Sequence, residues 1–185
     1  ILSEAQLNAW LERILAADLV CVDTETTGLD VMNAQIIGMS FAITPHEAAY
    51  LPLGHIYPGA PAQLNRDATL QKLKHWLESA QYKKLGQNLK YDAHVFANHG
   101  IQLAGIAEDT LLKSYVLESH KPHDMDNLAL RHLNVKTISY AEVVGKHHRL
   151  FSIFRYNPPE RRIRHIRHRR HRKKRLRQFS PEIFH

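Results

Sequence analysis

The chain has 185 residues, enough for one domain with a full hydrophobic core. Its 25 Lys+Arg against 18 Asp+Glu give a net charge of +7 and a pI near 9.6, yet its single cysteine excludes a disulfide framework and fits a reducing compartment. No apolar run approaches the ~18 residues of a membrane span and no signal peptide opens the chain, so a cytoplasmic protein without a membrane partner is expected.

The charge is unevenly placed. Residues 147–185 hold 13 of the 25 Lys+Arg and 2 of the 18 Asp+Glu, a net of +11, which leaves 12 against 16, or −4, for residues 1–146. We therefore expect a mildly acidic domain over 1–146 and a basic Arg/His-rich tail over 147–185. Arg161–Arg177 is almost entirely Arg, His and Lys, and such a block cannot bury enough apolar surface to order itself. Text of this kind without periodicity is also what an out-of-frame reading of a coding region produces. The other reading of the tail is a true basic arm that binds phosphates. The first residue is Ile rather than Met, which leads us to expect a fragment or a processed product.

In chain order, Ser3 precedes a capped amphipathic helix with Leu7, Trp10, Leu11, Ile14 and Leu15 at helical spacing. Leu19-Val20-Cys21-Val22 is an apolar strand, in which Cys21 acts as a small buried hydrophobe. Asp23 and Glu25 follow at its C-terminal end. Positions i and i+2 of a strand share a face, so the two carboxylates aim together and repel unless a cation lies between them. The fitting cation is a hard one, Mg²⁺ or Mn²⁺. Gly28 suits a turn leading away from the pair.

Gln35–Ile43 and Ala48–Leu53 read as two further strands joined by Thr44-Pro45-His46-Glu47, which makes a β-meander with the first. A loop with Pro and Gly leads to a helix around Arg66–Ser79, with Leu70, Leu73, Trp76 and Leu77 on one face. Lys83–Gly86 is a short fourth strand, and Gln87-Asn88-Leu89-Lys90-Tyr91-Asp92 opens a helix that runs to His99 with Gly100 as its C-cap. Gly105–Asp109 is a fifth strand feeding a helix over Thr110–Glu118, capped by Asp109. His123–Ala129 opens another helix, with Asp126 read as its cap. The pattern predicts an α/β fold, a mixed five-stranded sheet with helices on both faces.

Asp92 is the third acid of interest. It follows a strand, and strand-end acids gather at the carboxyl edge of an open sheet. Alone it reads equally as a helix cap. With Asp23 and Glu25 it makes three carboxylates, a set able to hold two divalent ions roughly 3.5–4 Å apart for displacement at phosphorus. Gln87, Asn88, Lys90 and Tyr91 beside it suit contacts to a phosphate or stacking on a base.

Three segments taken together, Asp23–Leu29, Gly86–Asp92 and His123–Ala129, resemble the proofreading 3′–5′ exonuclease domain of bacterial DNA polymerase I, a member of the DEDD exonuclease superfamily. The likeness runs over residues 1 to about 146. It implies an RNase H-like fold, two Mg²⁺ or Mn²⁺ ions, hydrolysis of a single-stranded DNA 3′ end to nucleoside monophosphates, and a polymerase domain in the same polypeptide of intact relatives. It also implies a bacterial, nucleoid-associated setting. By the same likeness Asp23 would bridge both metals, Glu25 would hold the first, and Asp92 would bind the second partly through water. Leu29 would wedge between terminal bases, and Thr24, Gln87, Asn88 and Tyr91 would line the DNA strand.

The family continues to a helix carrying Tyr-x-x-x-Asp, whose Tyr positions the attacking water and whose Asp completes the first metal site. After Asp126 this chain has no Asp at all. Tyr156-Asn157-Pro158-Pro159-Glu160 has the spacing, but two prolines between the pair oppose a regular helical turn. The expectation is an impaired exonuclease with an incomplete first metal site. The alternatives are a defective remnant that still binds single-stranded nucleic acid, or an RNase D-like RNA exonuclease, which shares only Asp-x-Glu.

Overall fold

The computed structural model describes residues 1–138. The boundary at 146, the basic tail and the segment Tyr156–Glu160 lie outside those residues.

The first helix, α1 (Glu4–Ala16), starts where Ser3 accepts a hydrogen bond from the Gln6 N–H. Leu7 and Ile14 are buried, whereas Leu15 is 38% exposed although the spacing placed it with them. Three strands follow as a meander: β1 (Leu19–Thr26), β2 (Ile36–Thr44) and β3 (Glu47–Pro52), each antiparallel to the one before. The β2–β3 turn places His46 at φ 66°. Next come α2 (Arg66–Glu78), β4 (Lys83–Gly86) and α3 (Leu89–Ala97). Then β5 (Ile106–Asp109) runs directly into α4 (Thr110–Leu117), and α5 (Met125–Leu133) follows.

The sheet order is β3-β2-β1-β4-β5, with β4 parallel to β1 and to β5. It is thus the mixed five-stranded sheet expected. The pleat of β1 divides its residues between the two faces. Val20 and Val22 join the main core, with Leu7 and Ile14 of α1, Leu70, Leu73, Trp76 and Leu77 of α2, and Val95 and Phe96 of α3. Burying each such side chain contributes roughly 1.5–3 kcal/mol. Phe41 meets Trp76 edge to face, with ring centroids 6.0 Å apart. Cys21 lies on the opposite face in a smaller cluster with Ala42 and Leu85. Its thiol is pushed up in pKa, first by burial and then by Asp23 and Asp92, so it behaves as the buried hydrophobe expected.

Two local readings change. Asp124, not Asp126, caps α5, accepting from the Asn127 N–H at 3.0 Å. Asp126 sits one residue inside the helix, where its carboxylate accepts from Thr137 Oγ1 at 2.5 Å. At the end of α3 the C-cap is Asn98. Gly100, at φ 69°, makes the left-handed step two residues later.

Candidate functional site

The site is built on the C-terminal half of β1. Asp23 and Glu25 pair with Ser40 and Gly38 of β2, and a bulge follows between Glu25 and Thr26. Bulges re-aim side chains and often sit beside active sites. Strand alternation puts Asp23 and Glu25 on the face of Cys21, away from the main core, with Asp23 half-buried and Glu25 exposed. Thr24, between them, points the other way and is buried.

That inward threonine meets Asp92. Asp92 Oδ1 accepts from the Thr24 N–H at 3.0 Å and from Thr24 Oγ1 at 2.7 Å. Asp92 therefore does not cap α3. The N-cap position belongs to Asn88, and Asp92 stands in the first turn, 3% exposed. Burial raises its pKa to about 6, against the lowering effect of the two Thr24 hydrogen bonds.

The entry to α3 is held by the cap of another helix. Asp109 accepts from the Leu111 and Leu112 N–H groups at the start of α4, the cap the sequence suggested. Its carboxylate also takes the Asn88 N–H at 3.1 Å and the Leu89 N–H at 2.9 Å. One side chain thus closes two helix N-termini, and Asn88 is held in the left-handed conformation at φ 62° with its side chain exposed.

Tyr91 Oη donates to the Gly28 carbonyl at 2.6 Å and lies 2.8 Å from Thr26 Oγ1. This ties the loop after β1 to α3. The contribution of Gly28 is its carbonyl, since its φ is not positive and a Cβ there would meet nothing within 4 Å. Leu29, next in the loop, is 76% exposed at the rim. Gln87 faces inward: its Nε2 donates to the His123 carbonyl at 2.8 Å and its Oε1 accepts from Thr110 Oγ1. The loop after β3 adds a contact that the sequence did not suggest, Tyr50 Oη to His55 Nε2 at 2.6 Å.

Among the described residues, no three His, Cys, Asp or Glu side chains are grouped closely enough to hold a metal ion. The chain offers a carboxylate pair, Asp23 and Glu25, with the Asp92 carboxylate held against the β1 backbone at the residue between them. The donors are all hard oxygens, and Mg²⁺ commonly takes only one or two carboxylates while keeping several waters. The residues fit such an ion as a partial shell.

Among the described residues no helix is long and apolar enough to cross a membrane. A family model described as 3′–5′ exonuclease matches residues 1–163. DNA polymerase I of Pseudomonas aeruginosa is 48% identical over 149 residues, which is 79% of this chain and 16% of that protein. The chain thus spans about a sixth of the length of that relative. A solved structure of the POL domain of Pol1 from M. smegmatis, in complex with DNA primer-template and dNTP, aligns with a TM-score of 0.59. Its identity is 21%, covering 73% of this chain and 22% of that one. Escherichia coli RNase D, an exoribonuclease, aligns with a TM-score of 0.55 at 15% identity, over 89% of this chain and 39% of that one. The last two likenesses speak to the fold, which is RNase H-like. With the Asp-x-Glu strand, the α3 acid and the family match in agreement, the chain belongs to the 3′–5′ exonuclease family, in the form carried by DNA polymerase I.

Proposed function

We propose that this domain removes nucleotides from the 3′ end of single-stranded DNA by metal-dependent hydrolysis, the proofreading activity of a DNA polymerase I. The observation that supports it best is the double hydrogen bond from Thr24 to Asp92. It fixes the third acid to the strand residue that separates the other two.

In this reading Asp23, Glu25 and Asp92 are the residues that would hold Mg²⁺ or Mn²⁺ ions. Bound there, the ions supply water activation and charge neutralisation at phosphorus. Thr24 keeps Asp92 in place. The loop pinned by Tyr91 presents Leu29 to the terminal bases, and Asn88 lies exposed beside the path of the strand. Gln87 supports that path from behind through His123. The polymerase domain that the relatives carry would deliver the DNA end, in the nucleoid of a bacterial cell.

Turnover in this chain is proposed to be impaired. No Asp follows Asp126 in the residues given, so within them nothing supplies the carboxylate of the family's Tyr-x-x-x-Asp motif to the first metal site. Loss of one electrostatic catalytic group costs about 10²-fold or more, which sets the expected deficit against a relative that has Tyr-x-x-x-Asp. The second reading is a binding remnant without turnover, favoured by the missing Asp of the Tyr-x-x-x-Asp motif in the residues given.

The test is digestion of a 3′-labelled single strand with Mg²⁺, wild type against Asp23→Ala, using DNA and RNA of one sequence. Weak activity on DNA that disappears in Asp23→Ala is the expected result. Binding without cleavage would support the remnant. Preference for RNA would move the assignment toward the RNase D type.

A further inference from the structure

The face of the sheet that carries the acidic pair carries a second ordered group. Asp23 pairs with Ser40, and Ser40 with Tyr50, so these side chains form one row across three strands. Tyr50 does not stay over its own row. A Cβ built on Gly38 would overlap the Tyr50 hydroxyl and lie 2.6 Å from its Cζ. Gly38 is the register partner of Glu25. Cβ atoms of paired residues stand roughly 4.5–5.5 Å apart, which brings the Tyr50 hydroxyl within about 7.5 Å of the Glu25 Cβ. A glutamate side chain covers that span with one hydrogen bond or one bridging water. Glycine at position 38 is what leaves the phenol this room.

The phenol is also held from behind. Its oxygen is 2.6 Å from His55 Nε2. The His55 ring lies between those of Tyr50 and Tyr57, with centroids 5.7 and 5.8 Å away. The backbone N–H and carbonyl of His55 are both taken by the side-chain amide of Gln63, at 2.9 and 2.7 Å. In the tautomer with Nε2 protonated, His55 donates to the phenol oxygen and the phenol can in turn donate to a carboxylate.

We propose that Tyr50, oriented by His55, is a positioning residue for Glu25, its hydroxyl holding the carboxylate in the attitude needed to bind a divalent cation. The proposal rests on the metal role assigned to Glu25 above. Outer partners of metal ligands typically change metal affinity by about 10–100-fold when removed.

The test is Mn²⁺ binding to the full chain followed by electron paramagnetic resonance, with folding checked by circular dichroism and urea midpoint. The proteins are wild type, Asp23→Ala, Tyr50→Phe, His55→Phe and His55→Gln. We expect Tyr50→Phe and His55→Phe to bind Mn²⁺ about 10-fold more weakly at an unchanged fold. His55→Gln, which keeps a donor near the Nε2 position, should recover most of that loss. Should Tyr50→Phe not fold, the contrast between His55→Phe and His55→Gln decides the matter. No Mn²⁺ binding by wild type, or binding indifferent to Asp23→Ala, would overturn the metal reading and this inference with it. Binding lost in Asp23→Ala but equal in wild type, Tyr50→Phe and His55→Phe would overturn this inference alone.

Discussion

Thr24 and Asp92 are 68 residues apart in sequence, and Thr24 donates to Asp92 through both its backbone N–H and its hydroxyl. Because Thr24 offers its main-chain N–H as well as its hydroxyl, the Asp92 carboxylate is held against the backbone of β1 between Asp23 and Glu25. This contact determines where the third acid stands relative to the first two.

The first prediction is a pH dependence of stability in the metal-free protein. The pKa of Asp92 is raised from 3.8 to about 6 in the folded state, chiefly by burial. Between those values the unfolded chain releases the proton while the folded chain keeps it, so stability falls as pH rises from about 4 to about 6. The loss is roughly 2–3 kcal/mol. Urea titrations in EDTA at pH 4, 5, 6 and 7 should show this slope in wild type and lack it in Asp92→Asn. A wild-type curve parallel to that of the variant would contradict it.

Asp109 should matter more than an ordinary cap. An N-cap replaced by Ala typically costs about 0.5–2 kcal/mol, and this carboxylate serves two helix starts. Asp109→Ala is expected to lose roughly 2–3 kcal/mol in urea unfolding. Asn88 and Leu89 should lose amide-exchange protection together with Leu111 and Leu112. Loss confined to α4 would show that the α3 contact is dispensable.

Lys84 is fully buried although its neighbour Lys83 is exposed. Its Nζ donates to the Trp76 carbonyl at 2.6 Å and the Ser79 carbonyl at 2.9 Å, closing the C-terminal end of α2. Burial lowers its pKa to about 8. Above that value the folded chain has released a proton that the unfolded chain holds until about 10.4, so this group makes stability rise with pH across the window. The difference between wild type and Lys84→Met should move in favour of wild type from pH 8 to 10. A difference that stays constant would refute the assignment.

The loop after β1 depends on one phenol. Tyr91→Phe removes the bonds to Gly28 and Thr26, at a cost of about 1 kcal/mol. The more specific effect is local: limited proteolysis should cut between Thr27 and Asn33 faster in the variant. An unchanged cleavage pattern would mean that the loop is held by other contacts.

Much of this arrangement could be read in the chain itself, and for local reasons. The meander is short-range, each strand pairing with the next across a brief connection. Ser3 and Asp109 cap helices through N–H groups two or three residues ahead. The choice between Asp124 and Asp126 failed because both acids stand before the same apolar run. Which one caps depends on where the helix starts, and Thr137 engages Asp126 from eleven residues away.

The sequence by itself determined that Asp23 and Glu25 share a face, because side-chain direction along a strand has a period of two residues. It also determined the family, through three motifs in order. Only the tertiary structure decided what the motif residues touch. Gln87 is turned inward to His123, Asp92 is buried against Thr24, and Tyr91 is spent on the Gly28 loop. Those partners meet because a parallel crossover lays β4 beside β1, bringing the start of α3 to the end of the first strand. Packing of that kind depends on the whole sheet closing on one core, and no local pattern of residues records it.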